Sequence, residues 1–184
     1  DGRIEALDSA TFSYAVARPD DEWPPCAFTC HETEAALELT TTLLTCRLSK
    51  EDGHLTFLDA NGAVINADDA GVGQHPNGHV VCHKHIQPDE RFYGLGERTF
   101  GLNCRGRRYG TWQTDPRTYH TGQDPIHLCI PMLVGLHAEG RQGYAIFFDN
   151  TFRGFFDLDA EEAGVASFGA EGGEMRYYFI YGPE

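Results

Sequence analysis

With 184 residues, 41% of them hydrophobic and 12% aromatic, the chain can bury one sizeable core, or at most two small ones, and is too apolar to be disordered. Its 28 Asp and Glu against 14 Lys and Arg leave a formal net charge of −14, a field that repels polyanions and so excludes nucleic acid and anionic membrane surfaces as partners. No apolar run approaches the roughly 20 residues that span a bilayer, and the opening DGRIEALDSA has no basic-then-apolar leader, which makes the cytoplasm the expected compartment.

The first patterned segment is EAALELTTTLLTCRLSK. Leu37 and Leu39 alternate with polar neighbours, and Leu44, Cys46 and Leu48 do the same, which predicts two adjacent strands. EDGHLTFLDANGAVINADD predicts a hairpin: Leu55 and Phe57 share an alternating face, Asn61-Gly62 supplies a two-residue type I′ turn, and AVINA returns. VVCHKHI, RFYGL, a run from His127 to Leu136, GYAIFFDN, RGFFDL, VASF and MRYYFIYG follow as strands, by their β-branched and aromatic content. No segment carries a long, capped stripe of period 3.6. Many short strands with Gly-rich turns predict an all-β fold, an antiparallel β-sandwich or barrel. Without a repeat or a linker, residues 1–184 form one domain. RYYFIYGPE sets Gly-Pro directly after an apolar strand, where a connection to a further domain is expected to start.

Several motifs suggest chemistry and then fall short of it. The six cysteines, Cys26, Cys30, Cys46, Cys82, Cys104 and Cys129, form no C-x-x-C pair and read as reduced thiols. HPNGHVVCHKH gathers His75, His79, His83 and His85 around Cys82. His83 and His85 share one side of a strand, but no carboxylate or second cysteine completes a metal spacing, so no metal is assigned. Gly94 and Gly96 in RFYGLGER form G-x-G, yet the third glycine of a dinucleotide fingerprint falls on Thr99 and no Walker lysine follows. These glycines read instead as a kink at a strand end. Asp115, Asp124, Asp149, Asp157 and Asp159 could serve a glycosidase, but spacing pairs none of them.

RRYGTWQTDPRTYHTGQDPIHLCIPMLVG says more. It is Gly/Pro-rich and without period, a long loop in which Tyr109, Trp112 and Tyr119 surround Asp115. Aromatic faces stack on the C–H surfaces of sugars, and a carboxylate accepts hydrogen bonds from vicinal hydroxyls. The stretch is therefore either a sugar-contacting loop or a surface loop pinned by a buried Trp112.

FYGLGER, YGTWQTDP, HLCIPMLVG, GYAIFFDNTFRGFFD and YYFIYGP, in that order over roughly residues 54–184, resemble the N-terminal β-sandwich domain of glycoside hydrolase family 31, the α-glucosidase and α-xylosidase family. The resemblance implies a galactose mutarotase-like supersandwich preceding a catalytic (β/α)8 barrel. It implies retaining, two-step hydrolysis of α-linked glycosides without a cofactor, by two aspartates of the barrel. The chain is then expected to lack the catalytic pair. Its partners would be the barrel of the same polypeptide and an α-linked oligosaccharide or glycoside. Asp115 matches the family aspartate that reaches over the barrel mouth to substrate, and Trp112 supports that loop. Gln113 stands where many relatives have Asn, and His127, Cys129 and Met132 replace a commoner Tyr, Ser and Phe. The same resemblance leaves Glu97 and Arg98 as a local ion pair or a barrel-facing contact. Two rival readings are a stand-alone carbohydrate-binding module and a small aldose-epimerase-like enzyme using His85 or His127 with Asp149 or Asp157.

Overall fold

The computed structural model describes residues 13, 15, 16, 22–137 and 142–182. Its strands are β1 (Thr29–Glu32), β2 (Ala36–Thr40), β3 (Leu44–Ser49), β4 (Leu55–Asp59), β5 (Val64–Gln74), β6 (Val80–His85), β7 (Arg91–Gly96), β8 (Arg107–Thr111), β9 (Cys129–Leu136), β10 (Gly143–Phe148), β11 (Gly154–Leu158), β12 (Val165–Ala170) and β13 (Tyr177–Tyr181). They pair antiparallel into a nine-stranded sheet, β1-β2-β3-β4-β5-β6-β12-β11-β8, and a four-stranded sheet, β13-β10-β9-β7. No described helix is long and apolar enough to cross a membrane. The fold is an antiparallel β-sandwich, as expected.

Alternation dictates the core, because successive side chains of a strand point to opposite faces. Phe92 and Leu95 of β7, Leu133 of β9 and Tyr144, Ile146 and Phe148 of β10 meet Val80, Cys82, Tyr109, Phe156, Leu158 and Phe168 from the larger sheet. Phe148, Phe156 and Phe168 pack as one aromatic group, with centroids 5.3, 5.6 and 6.5 Å apart. Each such ring contributes about 1.5–3 kcal/mol through burial.

The same alternation puts Lys84 inside, on the face of Val80 and Cys82. Its ammonium lies 2.5 Å from Asp68, 3.0 Å from the Tyr177 hydroxyl and over the Phe57 and Tyr177 rings. Pairing, hydrogen bonds and ring faces together offset the cost of burying this charge.

Three expectations change. β1 and β8 are additional strands: β1 is exposed throughout and so has no apolar signature, and β8 opens the stretch read as loop. The turn after β4 is not type I′, which needs positive φ at both central residues. Only Gly62 has it (φ 83°), and Asp59 closes a longer connection by accepting from the amides of Asn61 and Ala63. The histidines disperse: His83 bonds the Ser167 hydroxyl at 2.7 Å, His85 stands 3.8 Å from Asp69, and Cys82 turns into the core. Among the described residues, no three His, Cys, Asp or Glu side chains converge as metal ligands. All six cysteines are free thiols, and burial pushes that of Cys82 up to about 12.

Candidate functional site

Residues 112–128 leave the edge strand β8 and return as β9. The loop is closed at its base. One Asp124 oxygen accepts the Gly110 amide at 2.6 Å and the other pairs with Arg98, whose second terminal nitrogen donates to the Gly110 carbonyl at 3.1 Å. Thr99 adds two ties: its hydroxyl donates to the Gln123 carbonyl (3.0 Å) and accepts the Gly122 amide (2.9 Å). Inside the loop, the Thr114 amide and hydroxyl donate to the carbonyls of Ile126 and Pro125, both at 3.1 Å. Ile126 is buried, so the returning arm is packed as well as hydrogen-bonded. Backbone groups that a long loop would leave to water are thus satisfied within it.

The tip is the opposite. The Asp115 side chain is fully exposed, at 103%. The His127 Nε2 lies 3.9 Å from the Asp115 carboxylate and 3.0 Å from the Pro116 carbonyl. The Tyr119 ring meets the same imidazole edge-on at 5.6 Å. Nδ1 of His127 faces Glu97 at 3.7 Å.

Trp112 stands at the start of the loop, 46% exposed, with the Arg153 guanidinium 5.4 Å over its ring. With Gln113, Asp149, Asn150, Phe152 and Arg176 it lines a cleft of about 760 Å3. Part of the polar wall is already engaged. Asp149 accepts from the Ser13 hydroxyl at 2.7 Å and lies 3.3 Å from Arg176, and the Asn150 amide group donates to the carbonyls of Gly172 and Glu174.

The structure thus brings Trp112, Asp115 and Tyr119 onto one exposed loop but removes Tyr109 from the group. Tyr109 points between the sheets with no exposed surface, because it belongs to β8 and not to the loop. Glu97 and Arg98 do not pair with each other: Arg98 turns to Asp124 and Glu97 to His127. The histidine–carboxylate pairs of an epimerase are not assembled either, since Asp149 pairs with Arg176 and Asp157 faces Arg108 at 3.9 Å. Asp124, one of the five candidate carboxylates in the sequence, proves to be the base of the loop. Its only sequence signal is its place between two glycine- and proline-rich arms.

The arrangement can present a carboxylate and an aromatic face to a hydroxyl-rich ligand. Asp115 faces the Nε2 edge of His127, and Glu97 lies at that ring's other nitrogen.

Residues 3–157 match the model of the glycosyl hydrolase 31 N-terminal galactose mutarotase-like domain. Alpha-glucosidase 2 of Bacillus thermoamyloliquefaciens is 33% identical over 155 residues, covering 83% of this chain and 19% of that protein. Alpha-xylosidase XylQ of Lactiplantibacillus pentosus is 34% identical over 95 residues, 52% of this chain and 11% of that protein. Among solved structures, the Flavobacterium johnsoniae GH31 dextranase FjDex31A, complexed with glucose, superposes with a TM-score of 0.83 at 33% identity, over 94% of this chain and 21% of that chain.

Proposed function

The chain belongs to glycoside hydrolase family 31, as its N-terminal galactose mutarotase-like domain, and on that premise we propose that it is the non-catalytic sandwich of an enzyme that hydrolyses α-linked glucosides. It spans about a fifth of the length of these relatives, 19% of the Bacillus enzyme and 21% of the dextranase. In this reading residues 1–184 are one sandwich unit. Two carboxylates of a separate (β/α)8 barrel carry out the retaining reaction, one as nucleophile and one as acid and then base.

The observation that carries the proposal is the contrast within the 112–128 loop. Its base is stapled by Arg98, Asp124 and Gly110, while the Asp115 carboxylate at its tip is fully exposed to solvent beside His127. An ionised carboxylate accepts two hydrogen bonds from neighbouring sugar hydroxyls, and an exposed indole such as Trp112 covers a sugar C–H face. The loop therefore orients substrate at the barrel mouth. The outer face of the small sheet, with Ile130 and Ile180 at 42% and 47% exposure, supplies the bracing surface.

In the full-length enzyme, Asp115→Ala should raise KM for short α-glucosides about tenfold and leave kcat within about twofold, the signature of lost binding shared by ground and transition states. An unchanged KM across substrate lengths would count against the loop role. The 184-residue chain alone should neither turn over a chromogenic α-glucoside nor hold isomaltotriose in a calorimeter. Tight binding without turnover would instead identify a carbohydrate-binding module.

A further inference from the structure

We propose that Glu97 and Arg98 are positioning residues that together set where Asp115 stands: Arg98 clamps the base of the 112–128 loop, and Glu97 steadies its tip through His127. This rests on the reading above, that Asp115 meets substrate.

The argument begins with the backbone of β7. Gly94, Leu95 and Gly96 take φ values of 103°, 65° and 85°, and the pairing with β9 slips in register between Gly94 and Gly96. A side chain on Gly94 would lie 2.5 Å from the Met132 carbonyl, and one on Gly96 would meet the Leu128 carbonyl, so both positions exclude a Cβ. Leu95 holds a left-handed conformation that costs a branched residue about 1 kcal/mol or more. Its side chain is fully buried in the core, which keeps it there. The strand therefore leaves the sheet in one enforced direction, and the Glu97 amide is fixed at once by the Leu128 carbonyl, 2.8 Å away. The two residues that follow the kink are aimed by it.

Arg98 uses its planar fork. One terminal nitrogen takes the Asp124 carboxylate and the other the Gly110 carbonyl, while the second Asp124 oxygen takes the Gly110 amide. This three-residue ring joins the start of the loop to its end. The Arg98 and Asp124 side chains are only 6% and 12% exposed, so water competes little for these bonds. Lysine carries a single compact ammonium and cannot span both acceptors in that geometry.

Glu97 works on the other end. His127 Nε2 donates to the Pro116 carbonyl, the residue after Asp115, and its Nδ1 edge faces Glu97. Glu97 and His127 are 41% and 40% exposed and 3.7 Å apart, an ion pair only with the imidazole protonated, so this contact is the weaker one. The loop has a stiff root and a compliant tip, and adjacent residues of one motif govern the two.

The test uses Arg98→Lys, Asp124→Asn, Glu97→Gln and His127→Ala in the 184-residue chain and in the full-length enzyme. In the chain, Arg98→Lys or Asp124→Asn should speed hydrogen exchange at the Gly110, Thr114 and Gly122 amides about tenfold and leave β10 and β12 amides unchanged. Glu97→Gln or His127→Ala should leave Gly110 protected and quicken tryptic cleavage after Arg117 about threefold. In the enzyme, KM should rise about tenfold for the root pair and about threefold for the tip pair, with kcat nearly constant. Unchanged loop exchange, or exchange rising equally in β10 and β12, overturns the proposal. If loop exchange rises and Asp115→Ala raises KM while Arg98→Lys leaves KM alone, positioning fails and the substrate reading stands. If the loop loosens as expected and neither change moves KM, the substrate reading fails and the clasps remain as purely structural devices.

Discussion

Across the outside of the nine-stranded sheet, His83, Ser167, Asp157 and Arg108 stand in one row over β6, β12, β11 and β8. Across the outside of the four-stranded sheet, the comparable row over β7, β9, β10 and β13 is Tyr93, Val134, Ala145 and Ile180. The first row is largely paired within its own sheet, one Asp157 oxygen being buried without a hydrogen bond. His83 bonds Ser167, Asp157 accepts the amides of Ala160 and Glu161 at 3.1 Å, and Arg108 lies 2.8 Å from Glu161 and over the Phe155 ring. The second row has no polar atoms to satisfy beyond the Tyr93 hydroxyl, and Met132 and Phe147 extend it in the next row. One face is mostly closed by polar pairs of its own, and the other has the composition of an interface core.

The largest way to break this comparison is a charge on the apolar row. Ile180→Asp should shift the stability of the 184-residue chain by no more than about 1 kcal/mol, since the position is half exposed on an edge strand. In the full-length enzyme the same change should cost several kcal/mol, because an unpaired carboxylate would be desolvated at the domain contact. Denaturant melts of both proteins check it, and equal losses would remove the interface reading. The mirror change on the polar row is smaller. Asp157→Ala takes an acceptor from two backbone amides and should cost about 1–2 kcal/mol, alike in the chain and in the enzyme.

How much of this was legible follows from what a pattern can encode. Period-two alternation located β2 to β4, and β-branched and aromatic content located β6, β7 and β9 to β13, but the burial of Lys84 beside Val80 and Cys82 came from the fold. Its partner Asp68 lay beyond reach, because β5 bulges against β6 and no sequence period survives two register shifts. β1 carries four exposed residues and so offered no signal. β8 is short and ends at glycine and threonine, which hid it inside the loop and put Tyr109 on the wrong side of the boundary. The kink at Gly94 and Gly96 was readable from glycine alone. The partners of Glu97 and Arg98 were not, since they depend on where the kinked backbone points. Asp115 and Trp112 lie on one exposed loop, and the Arg98–Asp124 clamp beneath them needed the fold.

Two carboxylates sharpen the contrast between the sheets through pH, and theirs is the smallest expected effect. Asp159 ends β11 on the polar side. The Gly164 amide at 2.6 Å, and then Arg105 at 2.7 Å, hold its carboxyl below the ordinary 3.8. Glu90 is buried against Tyr144 of the small sheet, and burial pushes it above the ordinary 4.5 despite the Tyr144 hydroxyl at 2.5 Å and the Gln87 amide. The signs are opposite. A lowered carboxyl binds fewer protons folded than unfolded, so Asp159 stabilises above pH 3.8 and that contribution is lost as pH falls through its folded value. A raised one binds more, so the contribution of Glu90 is complete below 4.5 and is lost as pH rises through its folded value. Urea melts from pH 3 to 8 should show Asp159→Asn losing most against the parent near neutrality and converging with it in acid. Glu90→Gln should gain on the parent as pH rises above 4.5, because the amide has no charge to bury. Parallel curves for either variant would mean that its carboxyl titrates alike in the folded and unfolded chain.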